Sequence, residues 1–196
     1  MFIEVPDESA VDDDVAEWYE RQRGSWGYLP NYAPAFARHA DVATAWGALD
    51  KAVRSHMERR RFELATIAAA RAYRSTYCLV AHSKFLRDEC DEESLTLAIA
   101  ADPTGANLDA ADRAVIKFAT QVARDASLIT VADVQELREH GLSESDITDV
   151  VLAAAARAFF TKVLDALGVQ ADAPLGKTFD PEVRDQMVVG RPIAES

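Results

Sequence analysis

Apolar residues in this chain recur at intervals of three and four almost throughout, and no stretch alternates long enough to make a convincing strand. An α-helix returns to the same face about every 3.6 residues, so this spacing builds helices that each hide one side. The pattern is plain at Val42, Trp46, Leu49, Val53 and Met57, and again at Val115, Phe118, Ala119 and Val122. It predicts helices over Asp12–Gln22, Val42–Arg59, Arg60–Tyr73, Asp91–Ala101, Ala110–Arg124, Val131–Glu139 and Ile147–Leu167. A further helix starts after Ser75 and runs through Leu86 or to Asp88. A short one starts at Pro34–Phe36 and reaches about His39.

The residues between these segments punctuate them. Gly24, Gly27 and Pro30-Asn31 are expected to break the chain, as is the turn Asp102-Pro103-Thr104-Gly105. Ser75 and Thr130 are expected to cap helices, and Ser143 with Asp146 resembles a weak capping box. Gly141 and Gly168 follow helix ends. The alanine-rich stretches at 63–75 and 149–161 resemble each other, through internal duplication or through shared composition, and their small faces suit close helix packing. The fold expected is all-α, a compact helical bundle in one domain spanning 1–196. An extended arm at 1–10 precedes it. An irregular tail at 171–196, with one short turn at Glu182–Val188, follows it and is expected to wrap a partner subunit.

Charge and composition exclude several function classes. The formal net charge is −12, which repels both a phosphate backbone and an anionic membrane. The basic runs Lys51–Arg54 and Arg59–Arg61 are short and lie inside helical pattern, so no nucleic-acid partner is expected. Hydrophobic residues make up 49% of the chain, enough for a substantial core. No apolar run approaches the roughly 20 residues of a membrane span. The opening MFIEVPDESAVDDD lacks the basic and apolar regions of a signal peptide. Two cysteines, Cys78 and Cys90, do not make a secreted disulfide framework. The expected location is the cytoplasm.

Chemistry concentrates in Ser75-Thr76-Tyr77-Cys78-Leu79-Val80-Ala81-His82. Cys78 and His82 are four apart and share one helix face. An imidazole beside a thiol can take its proton or stabilise the thiolate, which is the reactive nucleophile. The first turn of a helix capped at Ser75 would also favour negative charge. Both effects predict a lowered Cys78 thiol. A sealed, inert core cysteine is the competing reading. Glu63 lies 15 residues earlier, about 22 Å away on an unbroken helix. A break near Arg74-Ser75 would fold the two segments side by side. Glu63 is then placed to orient His82 or to relay a proton. Tyr77 is a possible substrate neighbour, and the aromatic stretch SWGYLPNY either packs on a helix or lines a pocket mouth.

These residues resemble the signature of the carboxymuconolactone decarboxylase and alkylhydroperoxidase D superfamily, in particular its peroxidase-related branch. The signature there is a glutamate, an eleven-residue gap, then Cys-x-x-Cys-x-x-x-His. The matching positions here are Glu63, Ser75, Cys78 and His82. The resemblance extends from Trp26-Gly27-Tyr28-Leu29-Pro30-Asn31 to Phe159-Phe160 and Ala166-Leu167-Gly168-Val169. It implies a compact all-helical fold that assembles as a dimer, trimer or hexamer. It also implies an antioxidant thiol peroxidase in which Cys78 attacks the peroxide while His82 and Glu63 relay protons. No cofactor and no metal are implied.

The chain departs from that signature at Ser75, which stands where the resolving cysteine would be. Serine forms no disulfide. Cys90 lies 12 residues past Cys78, roughly 18 Å along one helix, too far to replace it. An external small thiol or redox protein would have to resolve a Cys78 sulfenate. The expected function is therefore a one-cysteine, thiol-dependent peroxidase. The alternatives are a non-redox superfamily enzyme acting on a small organic acid or lactone, and a non-catalytic oligomeric protein. His39, His56 and His140 are scattered and suggest no lactone site. Arg71 and Arg74 are read as surface or ion-pairing residues.

Overall fold

The computed structural model describes residues 1–101 and 108–195. Among them the regular structure is helical, with no strand. The expected turn at Asp102-Pro103-Thr104-Gly105 lies outside the described residues. The helices are α1 (Asp13–Trp26), α2 (Ala40–Ser55), α3 (Arg59–Ala72), α4 (Thr76–Cys90), α5 (Glu93–Ala101), α6 (Ala110–Asp125), α7 (Val131–Glu139), α8 (Glu144–Leu167), α9 (Ala173–Gly176) and α10 (Pro181–Met187). A short 3-10 turn at Ala33–Phe36 replaces the helix expected to reach His39.

The core is built around α3, which packs against α4, α6 and α8. Every residue from Phe62 to Ala70 is buried, so this helix is enclosed on all sides. Its alanines let three neighbours approach closely. The second alanine-rich helix, α8, is one of them, so the two similar stretches pack on each other.

Three boundaries differ from the sequence pattern, each for a local reason. The helix expected over Val42–Arg59 stops at Ser55, because Glu58 leaves the helix and caps α3. Its carboxylate accepts bonds from the Arg60 and Arg61 amides, both at 2.9 Å. Gly24 does not break α1, which continues to Trp26 and ends at Gly27 in the left-handed conformation. The stretch after Ala171 is more ordered than its prolines suggest. Pro174 and Pro181 each sit in the first turn of a short helix, where a missing amide costs little. Met187 and Leu175 are buried, and α10 packs on α4 and α5 of its own chain. The caps at Thr130 and Ser143 are full capping boxes, with Asp133 and Asp146 completing them.

The turn between α3 and α4 positions the site. Ser75 N–H donates to Ala70 O at 2.9 Å and Arg74 N–H to Arg71 O at 3.0 Å, the double closure of a Schellman motif. Arg74 takes the left-handed position at φ 60°, where glycine is usual. The reversal lays α4 back along α3.

Candidate active site

The reversal brings Glu63 to His82. His82 Nδ1 lies 2.7 Å from Glu63 Oε2, and the side chain of Glu63 is completely buried. The second carboxylate oxygen pairs with Arg59, one helical turn earlier, at 2.8 Å. Arg59 in turn reaches the half-exposed Glu89 at 2.9 Å and lies over the rings of Phe62 and Phe85. A chain of charged groups thus runs from the surface to the imidazole. With the Glu63 carboxylate accepting, Nδ1–H donates, which leaves Nε2 as the nitrogen available for proton exchange.

Cys78 and His82 open onto one cavity of about 150 Å³. Cys78, Ala81, His82 and Phe85 follow helical spacing, so one face of α4 forms its wall. Trp26 and Tyr32 close it from the SWGYLPNY stretch, Trp46 and Asp50 from α2, and Arg157 and Phe160 from α8. The rings interlock: Trp26 with Phe85 at 5.7 Å, Tyr32 with Phe160 at 5.3 Å, and Trp46 stacked on Phe160 at 5.6 Å. A larger cavity of about 480 Å³ lies on the other side of α3, between α3 and α6, and contains neither Cys78 nor His82 among its described lining residues.

The thiol does not behave as its sequence position suggests. Two effects were expected to lower it; its net shift is upward from the ordinary cysteine value. Burial is the largest cause, since Cys78 is 3% exposed. Against burial act the Arg157 guanidinium, as a charge and as a donor, and the Ser75 hydroxyl. Ser75 occupies the cap position, yet its side chain makes no capping bond and its hydroxyl is buried without a well-formed partner. It faces Cys78 and Asp165 instead.

Tyr77 has a structural task. Its hydroxyl donates to Asp172, which also accepts the Asn31 amide at 2.6 Å. Burial and the neighbouring Asp172 carboxylate push the Tyr77 phenol well above its usual range. The ring remains part of the cavity wall. Cys78 and Cys90 are both free thiols on the uninterrupted α4. At 1.5 Å per residue they stay roughly 18 Å apart, beyond disulfide reach. Among the described residues no cluster of metal-ligating side chains occurs, and no helix is long and apolar enough to cross a membrane.

Sequence reasoning missed Arg157 and Asp50. Arg157 is 4% exposed, paired with Asp50, and lies over the Trp46 ring at 5.1 Å. A signal was present. Arg157 is the one charged residue in VVLAAAARAFFT, and a charge amid a buried apolar stretch needs a partner.

Neither a family model nor a curated protein sequence matches this chain. Solved structures do. An uncharacterised peroxidase-related protein from Ralstonia eutropha JMP134, described as an alkylhydroperoxidase AhpD core, superposes with a TM-score of 0.80. The two are 23% identical over 89% of this chain and 93% of that one. A peroxidase-related protein from Silicibacter sp. TM1040 gives 0.79, with the same identity and coverage. A cysteine-to-alanine variant of the debrominase Bmp8, in complex with 2,3,4-tribromopyrrole, gives 0.75 at 17% identity, over 95% of this chain and 97% of that one. The architecture around α3, α4 and α8 is therefore that of the alkylhydroperoxidase D core and its peroxidase-related proteins.

Proposed function

We propose that this chain is a one-cysteine, thiol-dependent peroxidase of the alkylhydroperoxidase D-like peroxidase-related branch. The observation that carries this reading is the buried Glu63–His82 contact at 2.7 Å, on a cavity wall that His82 shares with Cys78. A structural pair needs no cavity, and an inert cysteine needs no neighbouring proton donor.

The Cys78 thiolate attacks the distal oxygen of a hydroperoxide. A sulfur–oxygen bond forms, the oxygen–oxygen bond breaks, and an alkoxide leaves. His82, oriented by Glu63, takes the thiol proton at Nε2 and delivers it to the alkoxide. Cysteine is oxidised by two electrons to the sulfenic acid and the peroxide is reduced to an alcohol. With serine at position 75 and Cys90 out of reach, an external thiol condenses with the sulfenic acid and releases water. A second thiol frees Cys78 and leaves as a disulfide. A cavity of about 150 Å³ admits a substrate of about one ring.

The test is consumption of cumene hydroperoxide and of hydrogen peroxide with a small dithiol. Turnover should be lost in Cys78→Ala and strongly reduced in His82→Ala. Equal rates for wild type and Cys78→Ala would end the proposal. A second reading is favoured by the ring-lined wall and the likeness to a debrominase bound to a bromopyrrole. In reductive dehalogenation a ring carbon exchanges halogen for hydrogen, halide leaves, and two thiols become a disulfide. Halide release from a bromopyrrole, without peroxide consumption, would select it.

A further inference from the structure

We infer that Arg157 is the residue that stabilises the Cys78 thiolate when it forms, leaving the Glu63–His82 pair to deliver the proton to the leaving group. This assignment deepens the peroxidase reading and rests on Cys78 being the nucleophile.

The argument starts from burial. A thiol 3% exposed, facing a ring-lined cavity, has little water to stabilise a thiolate. Some fixed positive charge has to replace it. His82 is already engaged through Nδ1 with Glu63, and that carboxylate is shared with Arg59. The Nδ1 side of the imidazole is therefore committed to the carboxylate and not to the sulfur. Arg157 enters the same cavity from α8, is itself 4% exposed, and cannot lose its proton under ordinary conditions. Asp50 holds one end of its guanidinium and the Trp46 ring lies 5.1 Å below. Its Nε–H is buried with no hydrogen-bond partner among the described residues. A fully buried guanidinium donor without an acceptor is costly. Its placement in the cavity that holds the sulfur suits an anion formed during the reaction.

The charged and titratable groups around the sulfur are few. From α8 come Arg157 and Asp165; from α4, His82 and Tyr77; from α3, Glu63 behind His82; from α2, Asp50 behind Arg157. Ser75 adds its hydroxyl from the α3–α4 turn. Asp165 opposes ionisation of the thiol, and burial raises its own carboxyl, which lessens the opposition. Arg157 and Asp165 are eight apart on one face of α8, with Thr161 between them. Arg157 is thus the cation that acts directly on the sulfur.

The step balances without a further reagent. The thiol proton passes to His82 Nε2 and from there to the leaving alkoxide, the electron pair stays on sulfur, and the guanidinium keeps all its protons.

The experiment follows the pH dependence of Cys78 alkylation by iodoacetamide in the full chain carrying Cys90→Ala, read by mass spectrometry. An opposite charge close by shifts a thiol by about 1–3 pH units. Arg157→Met should therefore raise the half-point and slow the reaction at neutral pH at least about tenfold. Arg157→Lys should recover most of that loss. Asp50→Asn should act in the opposite sense, because it releases the guanidinium from its carboxylate. His82→Ala should move the half-point little while strongly reducing peroxide turnover. Should Arg157→Met fail to fold, Asp50→Asn and Arg157→Lys decide. A half-point unchanged in Asp50→Asn, or one that follows His82 and not Arg157, overturns the assignment. The outcome is separate from the function itself. A half-point set by Arg157 in a chain that consumes no peroxide would sink the peroxidase reading and leave Arg157 as the residue that stabilises the thiolate.

Discussion

Replacing Glu63 with alanine tests whether the centre of the site is held by electrostatics or by packing. Glu63 is completely buried on the most enclosed helix, with His82 at 2.7 Å and Arg59 at 2.8 Å. Removing one partner of a buried ion pair typically costs about 3–5 kcal/mol, because the remaining charge is stranded. Two features place this case near the lower end. Arg59 is 24% exposed at its side chain and retains Glu89 at 2.9 Å. At His82 a single hydrogen-bond acceptor is lost. A cost of about 3 kcal/mol follows, with a small contribution from the cavity left behind. At about 2 kcal/mol per molar urea, the unfolding midpoint should fall by about 1.5 M. Glu63→Gln keeps the shape and one acceptor, so it should lose about half as much. Glu63→Ala should lose peroxide turnover, because His82 is no longer oriented, and Glu63→Gln should lose less. The assay is urea denaturation followed by far-ultraviolet circular dichroism, with matched slopes. A midpoint shift under about 0.5 M for Glu63→Ala would refute the reasoning, since a mere surface acid behaves that way.

Other predictions follow from the turn, the thiol and the tail. A Cβ at Gly190 would collide with the Arg74 carbonyl oxygen, so Gly190→Ala should undock the segment that also donates to Thr76 Oγ1. The expected cost is about 1–3 kcal/mol, read as a lower melting temperature and faster proteolysis after Met187. Burial raises Cys78 above its unfolded value, so the native state holds its proton longer and stability falls as pH rises through that window. The buried phenols of Tyr32, raised to about 12, and of Tyr77 extend the same loss to higher pH. Stability curves above about pH 8.5 should therefore be shallower in Cys78→Ala than in wild type. Cys90→Ala should leave peroxide turnover unchanged, and oxidised protein should carry one mixed disulfide at Cys78 with no Cys78–Cys90 bridge by non-reducing mass spectrometry.

The helices were legible because a buried helix face must repeat with the helical period. Thr130 and Ser143 were legible because their capping geometry is local. The Glu63–His82 meeting was legible only as a condition, a break near Arg74-Ser75. The left-handed Arg74 satisfies that condition, and no propensity favours arginine there. The direction of the Cys78 shift was not legible at all. Helix position and a neighbouring imidazole are properties of one segment. The burial that outweighs them comes from Trp26, Trp46 and Phe160, far apart in sequence. Arg157 stood in plain view as a lone charge in an alanine run, but its partner Asp50 is 107 residues away. The loss of a cysteine at position 75 looks like a deficit when the motif is read alone. Within the fold it leaves a small buried hydroxyl that faces both Cys78 and Asp165. Around a single buried sulfur, a permanent cation for thiolate stabilisation and a separate imidazole for proton delivery divide two tasks. A histidine that hands its proton to the leaving group loses its charge in doing so, whereas the guanidinium stays charged throughout the cycle.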